Sequence, residues 1–124
     1  MPIQKTLLIV DDDPNLVRSL RIHLGHEGYN ILTGGDGNIA LSLARIHRPD
    51  AILMDVNMPT VNGLRALKFL RTDKKTAEIP VILMSEIVST IMEPLVQNVS
   101  RAAYLKKPLD VMELISFLKQ FLNN

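Results

Sequence analysis

Five short apolar runs alternate with stretches of helical periodicity, and this alternation limits the chain to few folds. The runs are Thr6 to Val10, Tyr29 to Thr33, Ala51 to Met54, Val81 to Met84 and Ala103 to Lys106. They are continuously apolar rather than alternating, as strands buried on both faces of a parallel sheet are. Successive parallel strands need a crossover, and the helical stretches between the runs supply one each time. Residues 1–124 therefore read as one α/β domain, a doubly wound five-stranded parallel sheet with five helices.

The helices carry their own start and stop signals. Asp13 caps a first helix whose first residue is Pro14; Leu16, Val17, Leu20 and Leu24 share one face, and Gly28 stops it. Ile39, Ala40, Leu43 and Ala44 give the second helix its buried side, and Leu64, Leu67 and Leu70 serve the third, after Asn62-Gly63. Asp110 and Glu113 form a capping box for the last helix, which buries Leu114, Ile115, Leu118, Phe121 and Leu122. Met112 and Phe117 fall off that face. The fourth helix is less regular: Ile87, Val88, Ile91, Met92, Leu95, Val96 and Val99 recur at helical spacing, but Pro94 would cost a helix interior roughly 3 kcal/mol. The expectation is a helix starting near Thr90 to Glu93, with Pro94 in its first turn.

Composition excludes several functions. Hydrophobic residues make up 47% of the chain, which marks it as globular, yet no apolar run is long enough to span a bilayer. Met1-Pro2-Ile3-Gln4-Lys5 has no signal-peptide core, so a cytoplasmic location is expected. The absence of cysteine removes disulfides and thiolate chemistry together. A net charge of +1, with lysines in the pairs Lys74-Lys75 and Lys106-Lys107, gives no basic stripe for nucleic acid. His23, His26 and His47 lie on helices away from the acidic residues and read as surface positions.

Polar residues interrupt the strands at their carboxyl ends: Asp11 and Asp12 after the first, Asp55 after the third, Ser85 after the fourth and Lys107 after the fifth. In a parallel sheet these groups converge on one edge, where open α/β folds bind ligands. Neighbouring carboxylates repel and call for a cation. Oxygen ligands without His or Cys favour Mg²⁺, completed by waters and a phosphate. Asp55 is then placed to attack phosphorus in line, with Lys107 as a point charge and the Ser85 hydroxyl as a donor to phosphoryl oxygens. Asp13 reads as a cap only.

Taken together, Ile9-Val10-Asp11-Asp12-Asp13-Pro14, Met54-Asp55-Val56-Asn57-Met58-Pro59 with Gly63, Ser85, and Tyr104-Leu105-Lys106-Lys107-Pro108 resemble the receiver domain of two-component response regulators. The resemblance covers essentially the whole chain and implies the flavodoxin-like strand order 2-1-3-4-5. It implies that Asp55 takes a phosphoryl group from a sensor histidine kinase or phosphotransfer protein. Mg²⁺ would be held by Asp11, Asp12, Asp55 and the Asn57 backbone carbonyl, with Lys107 and Ser85 completing the reacting site. It further implies that Ser85 and the aromatic Tyr104 act as the switch. They would remodel the surface of the fourth helix, fifth strand and fifth helix, through which a homodimer could form.

The chain departs from the family pattern in places. Glu86 follows Ser85 where a small residue is usual, and a carboxylate there would slow small anionic phosphodonors. Ser100-Arg101 replaces a common Gly-Ala, Asn62 a common Asp and Leu109 a common Phe. The apolar residues around the fourth helix, with Met112 and Phe117, form a candidate partner or dimer surface. Two rival readings follow: a phosphorylation-independent interaction module, and a phosphatase nucleophile at Asp11-x-Asp13, against which Pro14 and the chain's length count.

Overall fold

The structure is a computed structural model and describes residues 4–123, so the reading of Met1 to Ile3 lies outside the described residues. Five strands, β1 (Thr6–Val10), β2 (Asn30–Gly34), β3 (Ala51–Asp55), β4 (Val81–Ser85) and β5 (Ala102–Lys106), form one sheet. Its order is β2-β1-β3-β4-β5 and every pairing is parallel, as the resemblance implies. The helices are α1 (Pro14–His26), α2 (Gly37–His47), α3 (Gly63–Thr72), α4 (Ser89–Val96) and α5 (Val111–Asn123).

The sheet is wound on both sides, and strand alternation divides the core in two. Leu8, Val10, Ile52, Met54 and Leu83 point toward α2, α3 and α4, meeting Ala44, Leu67, Leu70, Met92 and Val96. Leu7, Ile9, Leu53, Ile82 and Met84 point the other way, onto Leu20 and Leu24 of α1 and Leu114 and Leu118 of α5. Each such fully buried side chain stabilises the fold by about 1.5 to 3 kcal/mol, so the central strands cannot shift register without exposing one core or the other. Asp55 is thereby fixed opposite Met84, and Ser85 opposite Lys106.

Three helix N-termini match their sequence signals. The Asp13 carboxylate accepts from the Asn15 and Leu16 amides, Asn62 from the Arg65 amide, and Asp110 from the Met112 and Glu113 amides. The fourth helix does not match. It begins at Ser89, and Pro94 is its sixth residue rather than part of its first turn. Thr90 loses the amide that would have bonded its carbonyl, but the helix ends two residues beyond Pro94, and Met92 and Val96 are buried against the sheet. Packing of two apolar side chains overrides the proline penalty in so short a helix. Two side-chain expectations also change. Ile39 is 45% exposed at the rim of α2, not buried, while Phe117 packs against the α1–α5 core and lies against Phe121 at 5.3 Å between ring centroids.

Candidate functional site

The carboxyl edge of the sheet opens into a cavity of about 340 Å³ lined by Asp11, Asp12, Asp13, Asp55, Asn57, Glu86 and Lys107. Each comes from the end of a strand or the loop that follows it, so four strands, β1, β3, β4 and β5, must be in register for the set to exist. Asp11 and Asp55 are buried, at 4% and 5% exposure, and Asp12 faces solvent. One carboxylate oxygen from each of Asp11, Asp12 and Asp55 lies within 4.8 Å of the others. Lys107 reaches into this group, its Nζ donating to Asp11 Oδ2 at 2.7 Å and standing 3.6 Å from Asp55 Oδ1.

The electrostatics follow from this crowding. Burial, and next the charge of Asp11, push the Asp55 carboxyl above the ordinary carboxylate range, against the opposing pull of Lys107 and the Asn57 amide. Burial alone would lower Lys107, but the hydrogen bond it donates to Asp11 and the charges of Asp11 and Asp55 outweigh it and raise the ammonium above its usual range. One ammonium thus faces three carboxylates, and negative charge remains in excess. Hard oxygen donors at this spacing, short of positive charge, fit a small divalent cation such as Mg²⁺.

Backbone contacts hold the cluster's shape. The Asp11 carboxylate accepts from the Asp13 amide at 2.9 Å, and Asp55 from the Asn57 amide at 3.3 Å. Gly63 lets α3 begin directly against β3, since a Cβ there would sit 2.5 Å from the Asp55 carbonyl oxygen. Asp13 both caps α1 and lines the cavity, a second role its cap signal concealed.

Ser85 and Tyr104 lie apart from the cavity wall. Ser85 is buried and its Oγ accepts from the Ile87 amide at 3.0 Å. The Tyr104 ring is also buried, and its hydroxyl donates to the carbonyls of Ser85, at 2.9 Å, and of Ile87. Ser85, Ile87 and Tyr104 therefore form one hydrogen-bonded unit beneath the β4–α4 loop. Glu86, between two members of that unit, lines the cavity instead. His23, His26 and His47 are exposed, as expected.

The comparisons with known proteins agree with this geometry. The profile of the response regulator receiver domain family matches residues 7–119. The polar-differentiation response regulator DivK of Brucella anthropi is 34% identical over 97% of this chain and 98% of its own. A putative response regulator from Chloroflexus aurantiacus superposes with a TM-score of 0.91 at 28% identity, covering 98% of this chain and all of the other. The receiver domain of a sensor histidine kinase from Pseudomonas aeruginosa, with a magnesium ion coordinated in its active-site cleft, gives 0.87 at 26% identity, with 98% and 100% covered. Profile, sequence and fold agree over nearly the full length, and the chain belongs to the response regulator receiver domain family of two-component signalling.

Proposed function

We propose that the whole chain acts as one phosphorylation-controlled switch, with Asp55 as phospho-acceptor and a histidine kinase or phosphotransfer protein as donor. The observation that carries this is the meeting of Asp11, Asp12 and Asp55 within 4.8 Å beside the Lys107 ammonium. Asp11, Asp12 and Asp55, with the Asn57 carbonyl, would hold Mg²⁺. When bound, that ion neutralises the carboxylates and the oxygens of the group in transfer. An Asp55 oxygen forms the new bond to phosphorus as the donor's phosphorus–nitrogen bond breaks, leaving an acyl phosphate on Asp55 and an imidazole on the donor. Lys107 supplies a fixed positive charge for the phosphoryl oxygens.

The switch begins at Ser85. Its hydroxyl turns from the Ile87 amide toward the new phosphoryl group, and because Tyr104 bonds the carbonyls of Ser85 and Ile87, the loop and ring move with it. The surface altered is that of α4, β5 and α5. Val88, Ile91, Leu95 and Met112 are each about half exposed or more, which supports a dimer or partner contact there.

The test is intact mass after acetyl phosphate and Mg²⁺, beside Asp55→Asn. One phosphoryl adduct on the wild type and none on the variant is expected; an adduct on both, or on neither across many donors, rejects the assignment. The same variant has a second expected result. Asp55 is raised above its unfolded value, so its stabilising neutral form is present at low pH and lost as pH rises through the folded value. At neutral pH the charged form costs stability. Asp55→Asn without Mg²⁺ should melt about 4 °C higher, on the order of 1 kcal/mol.

Glu86 bears on how a donor reaches Asp55, and Mg²⁺ binding separates this reading from a phosphorylation-independent interaction module. Its carboxylate in the cavity wall repels a dianionic donor. Glu86→Ala should therefore take up phosphate from acetyl phosphate about 3 to 10 times faster, a change of roughly 1 kcal/mol. An unchanged rate would show that Glu86 does not face the donor. Absence of Mg²⁺ binding by titration would favour the interaction module.

A further inference from the structure

The end of the sheet opposite Asp55 carries its own cavity, of about 350 Å³, built from the loops that enter the strands. Lys5, Arg48, Lys74, Lys75 and Arg101 all line it, from four separate segments of the chain. In the sequence these cations are scattered and only Lys74-Lys75 are adjacent. Their sole carboxylate companions on that wall are Asp50 and Glu78. The Asp50 carboxylate is taken up by the Thr6 amide at 2.7 Å, and Glu78 meets Arg101 at 3.4 Å. Among the described residues, Lys5, Arg48, Lys74 and Lys75 pair with no carboxylate. The net charge of +1 hides two poles, acidic around Asp55 and basic here.

Backbone conformation gives a second, independent observation. Among the described residues, three other than glycine have positive φ, and two of them are Arg48 at 45° and Arg101 at 54°, both in this wall. Glycine takes that conformation without strain and a long side chain does not. Arg101 occupies one of the positions where the sequence departs from the family pattern. Its loop is held by Arg71, which donates to the carbonyls of Ser100 at 2.9 Å and Arg101 at 3.1 Å. Arg48 is the left-handed cap that ends α2, its amide bonding the Ala44 carbonyl, and Arg101 turns the chain into β5, so both reversals deliver a guanidinium to one cavity.

We propose that this amino-edge cavity binds a small anion bearing several phosphate groups, such as the phosphate chain of a nucleotide. The volume suits a small ligand rather than a protein segment. Guanidinium groups from two loops match phosphate oxygens with paired donors, and the three lysines add point charges. Phe121 and Leu122, also in the wall, offer apolar surface beside the charges for a base or similar group.

The test is titration of the full chain with tripolyphosphate and, separately, with ATP. Both are run without Mg²⁺ in about 150 mM NaCl, followed by calorimetry and by backbone amide shifts. Saturable binding with a Kd below about 1 mM is expected, with shifts at Arg48, Lys74, Lys75 and Arg101. Tighter binding of ATP than of tripolyphosphate assigns a role to the apolar surface; equal binding assigns recognition to the phosphates alone. Arg48→Gly/Arg101→Gly should melt no lower than wild type, because glycine accepts both backbone angles, yet bind at least about tenfold more weakly. Lys74→Gln/Lys75→Gln, which leaves the backbone untouched, should also weaken binding. Undiminished affinity in both variants, or shifts confined to Asp11, Asp55 and Lys107, overturns the proposal. So does a salt-sensitive head-to-tail oligomer in sedimentation with no anion bound, which would make the acidic pole of a second copy the occupant.

Discussion

Lys107→Met should lower the stability of the metal-free protein by about 3 kcal/mol at neutral pH, a fall in melting temperature on the order of 10 °C. Methionine keeps the apolar stem of the lysine, so the loss comes from the charge. The Asp11 side chain is fully buried, and Lys107 Nζ at 2.7 Å is its one cationic partner among the described residues. Without it, Asp11 and Asp55 are two buried carboxylates facing each other. Breaking a buried pair from one side costs far more than an exposed pair ever contributes, because the surviving charge keeps its desolvation penalty.

Two further measurements separate this cause from simple loss of packing. With Mg²⁺ held by Asp11, Asp12 and Asp55 as proposed, the ion would replace the missing positive charge, and denaturation with millimolar MgCl₂ should regain most of the loss, relative to NaCl at equal ionic strength. Acid should act in the same direction. In Lys107→Met the Asp55 carboxyl, already raised by burial, loses the opposing pull of the ammonium; its neutral form stabilises the folded state at low pH, and that contribution disappears as pH rises through the folded value. The variant should therefore be more stable near pH 5 than near pH 8. In the wild type, Lys107 is raised, so its contribution is complete at neutral pH and lost only in strongly alkaline solution. A loss of equal size with and without Mg²⁺ and at both pH values would show that the ammonium is not what holds the carboxylates together.

The parts of the site that could be read from sequence are those where one residue type at a strand end has one job. Asp11, Asp12, Asp55 and Lys107 are of this kind, because continuous apolar strands end at them and the parallel sheet does the rest. Side-chain direction in loops is set by tertiary contacts with no sequence period. Glu86, in the loop, faces into the cavity, while Ser85, the last residue of β4, turns to the Ile87 amide, and neither direction follows from residue type. Pro94 sits inside α4 rather than in its first turn because helix propensity is a weak prior beside the burial of Met92 and Val96. Phe117 follows the same logic, since a helical wheel marks the face but not how far Phe121 extends the core around it. The basic pole was invisible because its cations stand far apart in the chain and only the return loops bring them together.

Gly63→Ala tests how tightly Asp55 is held by the helix that follows it. A Cβ at position 63 would lie 2.5 Å from the Asp55 carbonyl oxygen, 2.9 Å from Val56 Cα and 3.1 Å from the Asp55 carbonyl carbon. All three are backbone atoms, so no side-chain rotation relieves the clash. The Gly63 amide also donates to the Val56 carbonyl at 2.8 Å, which fixes the approach of α3. Either α3 or the end of β3 must move, and β3 is the central strand, buried on both faces. Overpacking of this kind costs about 2 to 3 kcal/mol. Displacing Asp55 by a fraction of an ångström from Lys107 and Asp11 should also cut phosphoryl uptake at least about tenfold, since attack in line depends on position. Gly25→Ala is the control. Nothing lies within 4 Å of its added Cβ, the residue sits in the last turn of α1, and alanine there should add up to about 0.5 kcal/mol without changing uptake. A Gly63→Ala protein as stable and as quickly phosphorylated as the wild type would mean that α3 rides free of β3 and that Asp55 is positioned by the sheet alone.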